Sequence, residues 1–160
     1  MALTDEKKNN VNTEDVIDIS LDAVKRTRFR INGDNDAIIQ LNLSDLGIID
    51  RLSKGLSKLE KDMTQIANLD SESDDFSEQL KAIDQQMRDT VDYIFDYPVS
   101  AACVKYGTMY DPKDGKFCYE AIIEKLMQLY TDNINEEYKK LQNRVKKHTD
   151  KYTAPKGKRK

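Results

Sequence analysis

The spacing of hydrophobic and polar positions changes along the chain, from a period of two near the N-terminus to a helical period after residue 44. In segment 16–21, Ile17, Ile19 and Leu21 alternate with polar residues, which predicts a half-buried strand, with a short helix as the alternative. Apolar residues also alternate with polar ones on both sides of the turn sequence 32–36. This second pattern predicts a β-hairpin, so residues 14–43 are expected to form a strand and hairpin region.

Three helical stripes follow. The first runs through residues 44–69 and has apolar residues spaced by three and four positions: Ile49, Leu52, Leu56, Leu59, Met63 and Ile66. After the acidic turn 70–75, a second stripe extends to the region before Pro98, a residue that disfavours helix at the position preceding it. The third predicted helix, over 117–148, would be about 48 Å long at 1.5 Å per residue. Its stripe comprises Ile123, Met127, Tyr130, Ile134, Tyr138, Leu141, Val145 and His148.

These patterns predict a mainly α-helical protein with a minor β component. A small N-terminal β-hairpin is followed by an antiparallel helical hairpin or bundle and a long C-terminal helix. We expect a disordered lead over residues 1–13, a helical core over 44–148 and a basic flexible tail over 149–160. The third helix is longer than a small core needs, so it should project from the body or pack against another chain.

Charge is distributed unevenly along the 160 residues. The formal net charge of −3 conceals a C-terminal segment, 139–160, with ten basic residues against the single acid Asp150. This segment would bind nucleic acid weakly, an acidic partner, or the acidic body of a neighbouring copy, or else it only keeps the protein in solution. The basic residues assigned to this electrostatic tail are Lys146, Lys147, Lys151, Lys156, Lys158, Arg159 and Lys160.

Candidate chemistry is sparse. The chain has one histidine, His148, two cysteines fifteen positions apart and no nucleotide-binding or metal-binding motif. We therefore predict no enzyme activity, no catalytic residue, no cofactor and no metal site. Cys103 and Cys118 are interpreted as small buried thiols of a reducing compartment. No apolar run reaches the roughly 20 residues of a membrane span, and the N-terminus lacks a signal-peptide core, which predicts a cytoplasmic protein without a membrane partner.

The helical stripes favour a protein-binding function, because an exposed stripe is stabilised when another helix covers it. The alternative is that the stripes only bury one another. The hypothesised partner-binding residues are the six of the first stripe, Ile49, Leu52, Leu56, Leu59, Met63 and Ile66, together with Ile134, Leu141 and Val145.

Three segments carry a resemblance to a known family. They are LNLSDLGIIDRL at 41–52, VDYIFDYPVSAACVKYG at 91–107 and FCYEAIIEKLMQLY at 117–130. With the preceding hairpin, they resemble small proteins encoded in the tail-morphogenesis region of phages and prophages of Gram-positive bacteria. The chain departs from that family at Asp96-Tyr97-Pro98, where a glycine-rich form is commoner.

The resemblance implies a tail-assembly chaperone that binds helical tape-measure or tail-tube protein, with no catalytic residues. A second copy of the chain, in a homo-oligomer, is kept as a further candidate partner. The expected location is the host bacterial cytoplasm during assembly. Two alternatives stay open at this point. One is an accessory structural protein retained in the virion tail or neck, and the other is a phage regulatory or nucleic-acid-binding protein that uses the basic tail.

Overall fold

The computed structural model describes residues 15–20 and 26–158, with side chains described as far as residue 147. Strands β1 (Thr27–Arg30) and β2 (Ile38–Leu41) are followed by helices α1 (Ile48–Ala67), α2 (Phe76–Phe95) and α3 (Val99–Cys103). A short hairpin of β3 (Pro112–Lys113) and β4 (Lys116–Phe117) then leads into α4 (Cys118–Lys158). The mainly α-helical class with minor β structure is confirmed.

The predicted N-terminal hairpin is confirmed. β1 and β2 pair antiparallel with Phe29 opposite Ile39. Ile39 and Leu41 lie on the same face of β2 and are fully buried, and Phe29, which lies opposite Ile39 on that face, is half-buried against the same core. Positive φ angles at Asn32 and Gly33 close the turn.

The strand predicted over 16–21 is wrong for its described residues 16–20, which are in no helix or strand; Leu21 and residues 1–13 lie outside the described residues. Val16, Ile17 and Ile19 are between 56% and 86% exposed. Alternation identifies residues suited to a pleated surface, but a strand also requires a hydrogen-bonding neighbour, and none of the described strands pairs with this segment.

α1 begins later than the predicted core boundary at residue 44. The Gly47 amide donates to Oδ1 of Asp45 at 2.9 Å, which forms a local turn before the helix. Asp45 also pairs with Arg51 at 2.5 Å, and Nε of Arg51 donates to the carbonyl of Ile94 at 3.0 Å. These bonds fix the start of α1 against the end of α2, so the two helices form the predicted antiparallel hairpin.

The end of α2 explains the unusual Asp96-Tyr97-Pro98 sequence. Asp96 adopts a left-handed conformation with φ of 50°, and the amides of Asp96 and Tyr97 donate to the carbonyls of Tyr93 and Asp92. This is the conformation in which glycine is usually found at a helix C-terminus. Asp96 therefore occupies the position that favours glycine and ends the helix ahead of Pro98.

Two polar side chains of α2, Arg88 and Asp84, attach the chain after α2 to the helical hairpin. Arg88 pairs with Asp84 at 2.9 Å and donates to the carbonyls of Val104 and Gly107, both at 3.1 Å. Oδ1 of Asp84 accepts from the Met109 amide at 2.7 Å. This cluster sets the path of the loop that delivers the chain to the start of α4.

α4 packs along the helical hairpin over its first four turns. Tyr130 is fully buried, and its ring centroid lies 6.0 Å from that of Phe95. Burial raises the pKa of Tyr130 to about 12. α4 continues to Lys158, so the predicted helix end at His148 is wrong, and the backbone of the predicted flexible tail is helical as far as Lys158. A helix satisfies its backbone hydrogen bonds internally, and lysine is a good helix former, so the basic composition does not by itself end the helix.

Candidate partner-binding surface

α4 leaves the body of the protein after Ile134. Asn133 still reaches the body, through a 3.3 Å hydrogen bond from its amide to Oγ of Ser44, and Ile134 is half-buried against the core. Every residue from 135 to 147 is exposed. The part of α4 from 135 to 158 is called the projecting helix below.

The projecting helix has one apolar face. Tyr138, Leu141 and Val145 are between 56% and 63% exposed, and with Ile134 they are spaced by four, three and four residues. That spacing places them on one side of the helix. Lys139, Lys140, Lys146 and Lys147 lie outside this spacing, and Lys140 pairs with Glu137 at 3.2 Å. The four apolar residues are called the α4 stripe, and among the predicted binding residues Ile134, Leu141 and Val145 belong to it.

The first predicted stripe is divided between the core and the surface. Leu59 is fully buried, and Leu52, Met63 and Ile66 pack against the same core. Ile49 is 61% exposed and Leu56 is also exposed, so these two are the members of the set that a partner could contact. Four of the six predicted residues therefore stabilise the body rather than present an accessible surface.

This division reflects the rotation of α1, whose buried side includes Gly55. A Cβ at this position would lie 2.5 Å from the Cδ1 and Cγ1 atoms of Ile94, so α1 and α2 are in close contact here. Ile48 and Leu59 are buried on the same side of α1 as Gly55, whereas Ile49 and Leu56 are exposed. Helix propensity alone marks a glycine as a weak position and does not indicate this role, whereas a glycine among apolar residues at helical spacing is the sequence signal that could reveal it.

The predicted electrostatic tail is described in part. Lys146 and Lys147 are exposed on the projecting helix. The backbone at Lys151, Lys156 and Lys158 is helical, whereas Arg159 and Lys160 lie outside the described residues. The basic residues therefore extend the same helix that carries the α4 stripe.

Cys103 and Cys118 are brought together by the fold. Both are free, partly buried and line one open cleft of about 810 Å³ between the β1–β2 turn and the start of α4. Burial raises the pKa of the Cys103 thiol to about 11, and burial also raises the pKa of Cys118. Thiols with raised pKa values are poor nucleophiles near neutral pH, so we assign them no covalent chemistry. This cavity is called the thiol cleft.

One buried polar group was missed because it lies between stripe positions. Asp62 on α1 is 5% exposed, and its Oδ2 atom has no hydrogen-bond partner. Burial raises its pKa, and the nearby charge of Lys58 opposes that increase. Asp50 and Glu60 also lie one position from stripe residues and are exposed, so the sequence carries no signal that distinguishes Asp62 from them.

No protein-family model, curated protein sequence or solved structure matches this chain. Within residues 15–20 and 26–158, none of the helices combines the length and the apolar character required to cross a membrane. The same described residues contain no group of three or more histidine, cysteine or acidic side chains arranged to hold a metal ion.

Proposed function

We propose that this protein is a non-enzymatic binding protein of phage tail morphogenesis. It captures an apolar helix of a tape-measure or tail-tube protein on its projecting helix, in the host cytoplasm during assembly. The observation that supports this mode of binding is the exposed α4 stripe on a helix that extends beyond the body. The class of partner comes from the resemblance of segments 41–52, 91–107 and 117–130 to tail-morphogenesis proteins.

The size of the stripe is suited to reversible capture. Complete burial of an apolar side chain contributes about 1.5–3 kcal/mol, and Tyr138, Leu141 and Val145 are 56–63% exposed. Covering the exposed fraction of all three would therefore contribute roughly 3–5 kcal/mol before association costs. Lost translational and rotational freedom alone offsets about 4 kcal/mol or more. The net result is weak affinity for each binding site, which suits a protein that must release its partner when the tail assembles.

The charge on the projecting helix supports an acidic or neutral partner. Lys139, Lys140, Arg144, Lys146 and Lys147 are all exposed around it, opposed within residues 135–147 by Glu136 and Glu137. Two such helices placed side by side would bring like charges together, which disfavours a dimer formed through the projecting helix alone. A partner helix with acidic residues beside its apolar face would avoid this repulsion.

The test is direct binding of the purified protein to the tape-measure and tail-tube proteins of the phage that encodes it. Leu141→Asp with Tyr138→Asp should weaken binding at least tenfold, because two carboxylates would enter an apolar contact. The matched control is Asn143→Asp with Gln142→Asp, which adds the same charge to the same turns outside the stripe. Circular dichroism of all variants checks that the helix content is unchanged.

Equal binding by the stripe variant and the control would contradict the proposal.

Quantitative mass spectrometry of purified phage particles then distinguishes an assembly chaperone from a structural component of the virion. Absence from particles supports an assembly chaperone, whereas a fixed copy number indicates an accessory structural protein. Binding to nucleic acid in place of either tail protein would replace the proposal with a role for the basic residues.

A further inference from the structure

The thiol cleft has no part in the proposed function, and part of its lining is aliphatic. Val104 and Leu126 line it and are buried, and Ile31 and Ile122 line it and are half-buried. All four belong to the main core or pack against it, so the fold fixes their positions. They are called the aliphatic floor. The volume of about 810 Å³ lies in the range of clefts that hold small molecules.

Another part of the lining is basic. Arg30 at the end of β1, Lys113 on β3 and Lys125 on α4 line the cleft, and all three are exposed. Because they come from three separate elements, the fold brings them to one concave surface. Among the ion pairs between described residues, none includes any of these three cations.

The positive charge of the cleft is only partly compensated. Asp111 is the one acid among the described residues that line it, and it accepts hydrogen bonds from the hydroxyl of Thr108 at 2.6 Å and from the Thr108 amide at 2.9 Å. These bonds lower the pKa of Asp111. Glu124, the neighbour of Lys125 in sequence, pairs with Lys116. Three cations against one carboxylate leave an excess of positive charge beside the aliphatic floor.

The two thiols add apolar surface rather than charge. Burial raises the pKa of Cys103 to about 11 and also raises the pKa of Cys118, so both thiols are neutral near pH 7. A neutral thiol behaves as a small, polarisable apolar group. Tyr106 is the one aromatic residue among the described lining, and it is 94% exposed. The cleft therefore does not offer the succession of aromatic surfaces on which the bases of single-stranded nucleic acid stack.

An aliphatic floor beside uncompensated cations is suited to one class of ligand. A neutral apolar molecule would cover the floor without neutralising the cations, and an inorganic anion would neutralise the cations without covering the floor. A molecule with an aliphatic chain and a carboxylate does both. Its chain gains free energy by leaving water, and its carboxylate accepts charge-assisted hydrogen bonds from ammonium or guanidinium groups.

We propose that the thiol cleft binds a free aliphatic carboxylate of the fatty-acid class, one molecule to each chain. The aliphatic chain lies along the floor beside the two thiols, and the carboxylate faces Arg30, Lys113 and Lys125. None of the residues of the α4 stripe lines this cleft, so the site adds a small-molecule ligand to a protein whose proposed function is the capture of a helix.

The test is isothermal titration calorimetry of the full-length protein with decanoate below its micelle-forming concentration. Each buried methylene group contributes about fourfold to affinity, so octanoate should bind roughly fourfold to fifteenfold more weakly than decanoate. Decylammonium has a chain of the same length with a positive head group, and it should bind at least tenfold more weakly than decanoate, because the cations of the cleft repel it.

Two variants examine the two parts of the site. Arg30→Gln with Lys125→Gln should weaken decanoate binding at least tenfold, and the matched control is Arg28→Gln with Lys81→Gln, which removes the same charge from exposed positions outside the cleft. Ile122→Glu should also weaken binding at least tenfold, because it places a carboxylate in the floor. Circular dichroism checks the folding of each variant, and the charge variant decides the test if Ile122→Glu does not fold.

The cysteines provide a second readout that locates the ligand. Cys103 and Cys118 are the only cysteines of the chain, and their reaction with the neutral reagent N-ethylmaleimide should slow in proportion to decanoate occupancy. An absence of decanoate binding, equal binding of decylammonium, equal binding by the charge variant and its control, or occupancy without thiol protection would each overturn the proposal. Thiol protection that rises with protein concentration in the absence of decanoate would assign the cleft to a second copy and would also overturn it.

Discussion

Asp62 should be a source of instability, and replacing it should stabilise the protein. Asp62 is 5% exposed, and one of its carboxyl oxygens lacks a hydrogen-bond partner. An unsatisfied buried polar group costs about 1–3 kcal/mol. Asp62→Leu should recover an amount in this range, which corresponds to roughly 3–9 °C in Tm at about 3 °C per kcal/mol for a domain of this size.

The effect should depend on pH in a defined direction. Burial raises the pKa of Asp62 above its ordinary value of 3.8, so the protonated form is favoured by folding. The contribution of this group to stability is therefore fully present below pH 3.8 and is lost as pH rises through the folded-state pKa. The difference between Asp62→Leu and the wild type should be small in acid and should grow toward neutral pH.

Urea unfolding at several pH values, followed by circular dichroism, measures this difference. Glu60→Gln is the matched control, since Glu60 is exposed on the same helix and its change should stay within about 0.5 kcal/mol. A variant Asp62→Leu that is less stable than the wild type at pH 7, or a gain independent of pH, would refute the reasoning and show that the carboxylate has a stabilising partner.

Three further substitutions test the packing and the turns. Gly55→Ala should lower the free energy of unfolding by about 1–3 kcal/mol, because its Cβ would clash with Ile94. In an Ile94→Ala background the same Gly55→Ala change should cost less, since the clashing atoms are gone. Additive losses in a double-mutant cycle, measured by urea unfolding, would contradict this. Arg88→Ala should cost about 1.5–3 kcal/mol by the same assay, whereas a near-zero loss matching the exposed control Lys81→Ala would rule out its role in holding the loop. Asp96→Gly should stabilise the protein by about 1 kcal/mol, seen as a higher Tm, because glycine removes the cost of the left-handed backbone. A lowered Tm would show that the 3.7 Å pair of Asp96 with Arg26 matters more.

The helices and the hairpin were predictable because their periodicity reflects one buried side. Ile39 and Leu41 alternate on the packed face of the sheet, and the apolar residues of α2 recur at helical spacing. The rotation of α1 was not predictable in the same way, because Ile48 and Ile49 are chemically identical, and which one is buried depends on how α1 packs on α2, as in the contact of Gly55 with Ile94. That contact joins residues far apart in sequence.

The candidate binding surface on α4 was predictable from the sequence, whereas the thiol cleft was not. The length and spacing of the third stripe indicated a projecting helix, and the exposure of Tyr138 and Leu141 agrees with that expectation. The thiol cleft was not predicted, since it is formed by the β1–β2 turn, the loop after α3 and the first turns of α4. Neither Cys103 nor Cys118 carries a local pattern that reveals the other as a neighbour.

The burial of Tyr130 against Phe95 gives the protein an intrinsic optical reporter. The chain contains no tryptophan, so its near-ultraviolet absorbance comes mainly from eight tyrosines. Tyr130 has a pKa of about 12, and burial also raises the pKa of Tyr119, so alkali ionises these two phenols later than an ordinary exposed tyrosine. The late part of a spectrophotometric alkaline titration therefore reports whether α4 is packed on the helical hairpin, without any label.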